Sequence, residues 1–243
     1  MMTEEERLFK RINERFVKAF ATYHLLEDDD KVLVGLSGGK DSLCLLELLA
    51  KRTRINHPRF HVAAVHVRME NIDYKTSTTY LEKFCQELDV PLHIITTRFE
   101  RDTKGSKPEC FLCSWNRRKQ MFNLAQELGF NKIALGHHQD DILCTALMNL
   151  IYQGRFGTMP ALLKMRKMAL NIIRPLCMVE ENMIIDYAKH RGYMKQEKCC
   201  PYEKATQRQT MTNLFHQLQQ MNPETRYSLW NALVREGKLV EES

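Results

Sequence analysis

The sequence lacks long apolar runs, internal repeats and low-complexity tracts. None of the apolar stretches in its 243 residues approaches the roughly 20 residues that a helix needs to span a bilayer. The amino-terminal stretch MMTEEERLFKRINERF also lacks the basic and apolar blocks of a secretory signal. These absences exclude the fibrous, disordered and membrane-spanning classes. We therefore expect a cytoplasmic protein with no membrane partner.

The composition is that of a globular chain with a local excess of positive charge. Hydrophobic residues make up 44% of the sequence, enough for one substantial core, and the formal net charge is +6. Between Arg98 and Lys119, seven basic residues stand against three acidic ones. Such a patch suits a polyanionic partner, although an ordinary solvated surface explains the charge equally well.

Short apolar strands alternate with amphipathic helices over most of the chain. The pattern begins with KVLVGL, DSLCLLELLAKR, FHVAAVHV and TSTTYLEKFCQEL, and continues through PLHIITTRF, SWNRRKQMFNLAQELG, KIALGHH and DDILCTALMNLIY. It predicts an α/β fold with a doubly wound, mostly parallel sheet. We expect an amino-terminal helix packed on the core in residues 1–28, the α/β domain in 29–195, and a cysteine-containing loop with a helical tail in 196–243.

A glycine loop separates the first predicted strand from the first helix of this pattern. It runs Leu36, then Ser37-Gly38-Gly39-Lys40-Asp41-Ser42. Backbone N–H groups and the positive end of the helix dipole converge there, so a phosphate is the natural ligand. The loop lacks the G-x-x-x-x-G-K-[ST] spacing and the third glycine of a dinucleotide fingerprint. A glycine-serine turn that simply caps a helix would also explain it.

A second polar cluster, ALGHHQDD, follows a later strand at the edge of the sheet where ligands bind in α/β proteins. Its candidate residues are Gly136, His137, Asp140 and Asp141. The two aspartates are equally typical of the first turn of a helix. His66, near the end of FHVAAVHV, is a further candidate for contact with a nucleotide base or ribose.

Four of the eight cysteines stand in polar surroundings. Cys110 and Cys113 form a C-x-x-C just before the predicted helix SWNRRKQMFNLAQELG, and Cys199 and Cys200 are adjacent in KCCPYEKATQRQ. A C-x-x-C is typical of a redox pair, half a zinc site, or part of an iron–sulfur site. The remaining cysteines lie in apolar contexts and are expected in the core. They are Cys44, Cys85, Cys144 and Cys177.

Taken together, these motifs resemble one family. S-G-G-x-D-S resembles the loop of the ATP-pyrophosphatase (PP-loop) superfamily, with its adenine nucleotide alpha hydrolase-like fold. With the C-x-x-C followed by two arginines, IALGHHQDDIL, IIRPL and a late cysteine before QRQ, the chain resembles the tRNA 2-thiocytidine synthetases. The resemblance covers roughly residues 10 to 220. It implies ATP-dependent adenylation of a pyrimidine C2 oxygen, followed by its replacement with sulfur.

The resemblance also implies cofactors and residue roles. ATP would be bound by the glycine loop, His66 and the second cluster, with magnesium at Asp41. Cys110, Cys113 and Cys200 would hold a 4Fe-4S cluster, with Cys199 as the alternate third ligand and zinc as the alternative metal. Together with Asp41, these three cysteines are the catalytic candidates.

The implied partners are a tRNA, a sulfur donor and a second copy of the chain. Arg117 and Arg118 would contact the tRNA backbone. The donor would be a cysteine desulfurase or inorganic sulfide, and the second copy would form a homodimer. The alternatives are a PP-loop enzyme that adenylates without sulfur chemistry, such as a lysidine-type ligase or an amidotransferase partner, and a non-enzymatic metal-containing RNA-binding module.

Overall fold

The secondary structure is that of an α/β protein. A computed structural model of the chain describes residues 2–70, 72–74, 76–98, 109–166, 168–196, 198–199 and 207–242. Its helices are α1 (Glu4–Tyr23), α2 (Lys40–Arg52), α3 (Thr79–Glu87), α4 (Glu109–Glu127), α5 (Gln139–Gln153), α6 (Glu181–His190), α7 (Gln207–Met221) and α8 (Thr225–Arg235). Its strands are β1 (Asp30–Gly35), β2 (Phe60–Met69), β3 (Asp73–Tyr74), β4 (Leu92–Thr97), β5 (Lys132–Ala134), β6 (Leu162–Lys164), β7 (Asn171–Ile173), β8 (Lys198–Cys199) and β9 (Val240–Glu242). Over these ranges, none of the helices is both long and apolar enough to cross a bilayer.

The chain divides into two compact units, each assembled from segments that are distant in sequence. The glycine-loop unit consists of Leu26–Gly136 and Ala188–Glu203. The terminal unit consists of Met1–Leu25, His137–Tyr187 and Lys204–Ser243.

The glycine-loop unit is built on parallel strands in the order β4-β2-β1-β5. Val32, Leu33 and Val34 of β1 are fully buried, as expected for a parallel strand that is covered on both faces. The carboxyl ends of β1, β2 and β5 meet at one edge of this sheet. The glycine loop therefore lies beside His66 of β2 and Gly136, which follows β5. A separate two-stranded antiparallel sheet pairs β3 with β8.

The terminal unit combines helices with short strands. β6 pairs antiparallel with β7 and parallel with β9, and α5 packs against α7 and α8. Helix α1 joins this unit through its apolar face, where Phe16 meets Phe20 edge-on and Phe9 lies 6.0 Å from Tyr187 of α6, measured between ring centroids.

The predicted α/β class with mostly parallel strands is confirmed, as are the two helices of the carboxyl-terminal tail. The prediction that the C-x-x-C precedes its helix is wrong, because α4 begins at Glu109 and includes both cysteines. A carboxylate in the first turn stabilises such an early helix start. Strands β3, β6, β8 and β9 were not predicted. The division into residues 1–28, 29–195 and 196–243 stays a prediction.

Candidate active site

The glycine loop joins β1 to α2 and folds around its own two hydroxyl groups. The backbone N–H of Ser37 donates to Ser42 Oγ at 3.2 Å, and the two hydroxyl oxygens lie 3.0 Å apart. Gly38 has a φ of 80°, in the left-handed region that glycine adopts readily. Gly39 is the N-cap of α2 and makes no side-chain cap. The first N–H groups of α2 are thus arranged to bind an anion, as a phosphate loop requires.

Asp41 lies in the first turn of α2, next to a positive charge from its own loop. The Lys40 ammonium is 3.0 Å from Asp41 Oδ1 and 3.2 Å from Oδ2. A carboxylate here fits a hard cation such as magnesium. Because Lys40 occupies both oxygens, metal binding would require its side chain to turn away. The magnesium role of Asp41 stays a prediction.

Gly136 brings the end of β5 against the glycine loop. A Cβ atom at this position would lie 3.0 Å from the Asp41 carbonyl carbon and 3.0 Å from the Ser42 backbone nitrogen. Real Cβ atoms rarely approach backbone this closely, so any larger residue would push the loop out of position. The glycine of the second motif is therefore explained by packing against the first.

His66 presents one ring nitrogen to the same edge of the sheet. The side chain is 3% exposed, and Nδ1 lies 2.7 Å from the Leu36 carbonyl oxygen. Since a carbonyl can only accept, Nδ1 carries the proton and Nε2 is an acceptor. Burial lowers the pKa of His66, which keeps the ring neutral. Within the described residues, Nε2 has no hydrogen-bond partner.

A cavity of about 540 Å³ opens at this edge of the glycine-loop unit. Its volume is typical of a cofactor or substrate site. Six predicted site residues line it, and the structure therefore brings them together: Leu36, Ser37, Gly39, His66, Arg117 and Arg118. The remaining lining residues are Gly35, Val65, Val67, Tyr74, Met121, Leu135, Lys195 and Gln196.

Gln196 covers the glycine loop and was missed by the sequence analysis. Its backbone N–H donates to the Gly38 carbonyl at 3.0 Å, and its Cβ would lie 2.6 Å from a Cβ added at Gly38. Its side-chain Oε1 and Nε2 are both buried, without a hydrogen-bond partner among the described residues. An isolated glutamine in a segment without regular periodicity gives no signal that a sequence pattern could detect.

The segment that carries Gln196 is anchored by Glu47 of α2. This carboxylate is fully buried and accepts from Tyr193 Oη at 2.6 Å and Arg191 Nε at 3.2 Å. Burial alone would raise the pKa of Glu47, but hydrogen bonds from Lys51 and Tyr193 outweigh it, and the pKa lies below its usual range. The buried negative charge therefore holds residues 191–193 in place. Gln196, which covers the glycine loop, follows three residues later.

The C-x-x-C is connected to this cavity through Cys113, which packs on the same small cluster as the lining residue Tyr74. Cys110 is exposed, whereas Cys113 is partly buried and packs against Met69 and Ile72. The backbone of Cys199 pairs with Asp73, which follows Ile72. Two separated cysteine segments thus converge on one part of the fold, as a shared metal group requires. Over the described residues no group of three or more histidine, cysteine or acidic side chains could hold a metal ion; Cys200 lies outside those residues.

The two candidate RNA-binding arginines have different surroundings. Arg117 donates to the Tyr74 hydroxyl at 2.9 Å, and its buried Nε has no partner within the described residues. Arg118 is exposed and bonds only weakly to Ser114 of its own helix, at 3.3 and 3.4 Å. Arg118 therefore has the exposure that suits contact with a phosphate backbone, while Arg117 is held in the cavity wall by Tyr74.

In the terminal unit, the second motif caps its own helix. The His138 backbone N–H donates to Asp141 Oδ2 at 3.1 Å, and the Asp141 N–H donates to His138 Nδ1 at 3.4 Å. Both residues are buried. In this reciprocal capping box, each side chain accepts a hydrogen bond from the other residue's backbone N–H at the start of α5.

Asp140 is also engaged within the terminal unit. Its Oδ1 accepts from Arg226 at 2.6 Å, and its Oδ2 accepts from the Glu181 backbone N–H at 2.8 Å. Burial would raise the pKa of Asp140, but the hydrogen bond and charge of Arg226 outweigh it and hold that pKa below its usual range. The nucleotide or magnesium roles of Asp140 and Asp141 stay predictions.

His137 is oriented by Arg174, a residue of the IIRPL stretch. Arg174 is 7% exposed, and its Nε donates to His137 Nδ1 at 3.2 Å. Burial lowers the pKa of Arg174 to about 10, which leaves it charged at neutral pH. Because Nδ1 accepts, the neutral imidazole carries its proton on Nε2.

The prediction that the other cysteines are core residues is confirmed, since Cys44, Cys85, Cys144 and Cys177 are all buried. Burial raises the pKa of each thiol, that of Cys85 to about 11 and that of Cys177 to about 12. These side chains are neutral thiols, unsuited to bind metal at neutral pH.

Known proteins are similar to this chain in sequence and in fold. Residues 6–198 match the PP-loop domain family ATP_bind_3. The tRNA-cytidine(32) 2-sulfurtransferase of Acinetobacter baumannii is 33% identical over 232 residues, a match that covers 93% of this chain and 76% of the relative. The enzyme of the same name from Cellvibrio japonicus is 33% identical over 239 residues, covering 95% and 77%.

One solved structure shows the same fold over nearly the whole chain. It is the U34-tRNA thiolase NcsA from Methanococcus maripaludis with its 4Fe-4S cluster, with a TM-score of 0.75 and 24% sequence identity. The match covers 95% of this chain and 79% of that one.

Proposed function

The chain belongs to the PP-loop family, among the relatives of the tRNA-cytidine 2-sulfurtransferases, and on that premise we propose that it is an ATP-dependent tRNA thiolase. It adenylates the C2 oxygen of an anticodon-loop cytidine and replaces that oxygen with sulfur. One observation carries the proposal: a single cavity is lined both by the glycine loop and by the arginines that follow the C-x-x-C on α4.

The first chemical step is the attack of the C2 oxygen on the α-phosphorus of ATP. A new phosphorus–oxygen bond forms, and the bond to pyrophosphate breaks. The N–H groups at the start of α2 stabilise the departing charge, with Ser37 and Ser42 as hydroxyl contacts. A magnesium ion at Asp41 would offset the pyrophosphate charge.

The second step is the attack of sulfide on C2, which breaks the C2–O bond and expels AMP with the original oxygen. Adenylation is needed because oxide is a poor leaving group, whereas AMP is a good one. A 4Fe-4S cluster with three cysteine ligands would leave one iron open to carry sulfur. The residues that would hold it are Cys110 and Cys113 in the first two turns of α4, with Cys200 or Cys199 as the third ligand.

The partners follow from this reaction. The substrate is tRNA, with Arg118 on its backbone, and the sulfur comes from inorganic sulfide, or from a cysteine desulfurase together with a two-electron reductant that releases its persulfide sulfur as sulfide. We place the enzyme in the cytoplasm, as a homodimer. These assignments rest on the family and on the chemistry of the exposed basic side chains.

The test is anaerobic reconstitution with iron, sulfide, magnesium-ATP and tRNA that lacks thiolated nucleosides. We expect about four irons per chain, one AMP per thiolated cytidine, and 2-thiocytidine in the nucleoside mass spectrum. Separate alanine variants of Cys199 and Cys200 will identify the third ligand by loss of iron. Bound zinc, or AMP formation without thiolated product, would instead indicate an adenylating enzyme without sulfur chemistry.

A further inference from the structure

The cavity of the glycine-loop unit has two sets of lining residues. The first set belongs to the loop and to the ends of β1 and β2, and the proposed function assigns it to ATP. The second set consists of Tyr74, Arg117, Arg118, Lys195 and Gln196. Because one of its members, Tyr74, packs on the same small cluster as Cys113, we call this second set the cysteine side. The proposed reaction has a second substrate besides ATP, and this set of residues is left for it.

The side-chain amide of Gln196 is the most distinctive group on the cysteine side. Oε1 and Nε2 are buried, and neither has a hydrogen-bond partner among the described residues. Burying an amide without hydrogen-bond partners is unfavourable. Its backbone is meanwhile held by the Gly38 carbonyl and by the anchor at Glu47. The backbone of Gln196 is therefore fixed against the glycine loop, and the donor and acceptor of its side-chain amide are unpaired among the described residues.

A phosphate cannot satisfy both atoms of this amide, because its oxygens accept from Nε2 but offer no donor to Oε1. A pyrimidine edge can satisfy both atoms. In cytosine, N3 accepts and the exocyclic amino group on C4 donates, which matches Nε2 and Oε1 side by side. A contact to these two positions leaves the C2 oxygen unpaired and available for adenylation.

The neighbouring residues also suit a base. The Tyr74 hydroxyl accepts from Arg117 at 2.9 Å and from the Met69 backbone N–H at 3.2 Å. The Arg68 guanidinium lies 4.8 Å from the centre of the Tyr74 ring. Tyr74 is thus held at its hydroxyl and against a cation, and a held aromatic ring in a cavity wall is what unpaired RNA bases stack on.

From these contacts we propose that Gln196 reads the N3 and C4-amino edge of the target cytosine; the assignment rests on the proposed function. Gln196 is a base-binding residue for the second substrate, and it makes no required contact with ATP. The structure supports this assignment by placing Gln196 at the glycine loop, where the base must meet the α-phosphate.

The experiment pairs a protein change with a substrate change. Gln196→Leu removes both hydrogen-bonding atoms and retains the backbone contact to Gly38. An anticodon stem-loop whose target nucleoside is 2-pyrimidinone lacks only the C4 amino group. Gln196→Glu retains the acceptor and loses the donor, and Gln86→Leu on the exposed face of α3 is the matched control.

We expect kcat/KM for thiolation of the cytidine stem-loop to fall about 10–100-fold in Gln196→Leu, as when a buried polar contact to a substrate is removed. The Kd for ATP should stay unchanged, and this also verifies folding. For wild type and Gln86→Leu, kcat/KM should be lower with the 2-pyrimidinone stem-loop than with the cytidine stem-loop. For Gln196→Leu, the two stem-loops should give equal values. On the cytidine stem-loop, kcat/KM for Gln196→Glu should lie between the values for wild type and Gln196→Leu.

Three outcomes overturn the proposal. The first is a kcat/KM for thiolation by Gln196→Leu within about twofold of the wild-type value. The second is a Gln196→Leu variant that binds ATP more weakly and is otherwise unchanged. The third is a loss for Gln196→Leu on the 2-pyrimidinone stem-loop that equals the product of the two separate losses. In each of them, wild-type thiolation leaves the proposed function standing. Wild-type protein that consumes ATP and thiolates no tRNA overturns both.

Discussion

Two helix starts in this chain carry polar motifs of similar composition, and they use those residues differently. At α5, His138 and Asp141 cap each other, and Asp140 is held by Arg226 and a backbone N–H. At α2, the cap is a bare glycine, and the cavity nearby contains buried polar atoms on His66, Arg117 and Gln196 without partners in the described chain. Satisfied polar groups stabilise a fold, whereas unsatisfied ones preserve binding capacity at some expense of stability.

The largest effect should come from Cys110, the exposed cysteine of the C-x-x-C. Cys110→Ala should reduce thiolation by more than about 100-fold, because losing a ligand exceeds the loss known for groups that only support one. ATP affinity should be retained. Cys85→Ala, at a buried thiol of the same unit, is the control and should retain activity. Equal losses of thiolation activity in the two variants would contradict the prediction that the exposed cysteine is functional and the buried one structural.

The next largest effect should come from the close approach at Gly136. Gly136→Ala should destabilise the fold by about 1–3 kcal/mol, because its Cβ meets loop backbone 3.0 Å away. The displaced loop should also bind ATP more weakly. Denaturant unfolding and calorimetric titration measure the two changes. Gly157→Ala, which meets only the flexible side chain of Arg155 at 3.5 Å, should be tolerated; a tolerated Gly136→Ala would contradict the packing explanation.

The third prediction tests whether the α5 motif is structural. Arg226→Ala should cost about 1–3 kcal/mol at neutral pH, since it leaves a partly buried carboxylate unpaired. The folded pKa of Asp140 is depressed, so this stabilisation is full above the unfolded value near 3.9 and is lost as pH falls through the folded pKa. Unfolding curves across that range should show the two proteins converging at low pH.

The control for Arg226 is the more exposed pair of Arg15 with Glu180. Arg15→Ala should cost less than about 1 kcal/mol, because solvent screens the pair. An Arg226→Ala variant with unchanged stability and weakened ATP binding would show that the α5 motif is not structural and acts on the nucleotide instead.

The smallest effect should come from the protonation of His66. Its folded pKa is lowered, so the neutral ring contributes stability that is full above the unfolded value near 6.5 and falls as pH drops below it. The loss between pH 7 and pH 6 should be within about 1 kcal/mol. His66→Gln should flatten this dependence, and His61→Gln on the exposed side of β2 should not. A wild-type curve without a slope in this range would contradict a buried neutral imidazole.

Sequence pattern predicted the parts of this site that have a local cause. The glycine loop follows from a strand, a turn and a helix start, and the burial of Cys85 follows from its apolar helix. The pattern could not predict Gln196, because its role depends on a long-range contact to Gly38. It also could not separate Arg117 from Arg118, since only the position of Tyr74 fixes one of them. The very short strands were missed because two or three residues carry no periodic signal.

The contacts of the buried Glu47 also determine when, during translation, the binding site can be completed. Its hydrogen bonds to Arg191 and Tyr193 span 144 and 146 residues of chain. A ribosome exposes the glycine loop long before it releases the segment that covers it. The nascent chain therefore has an uncovered glycine loop until residues 191–196 have been made, and the binding site is complete only after that.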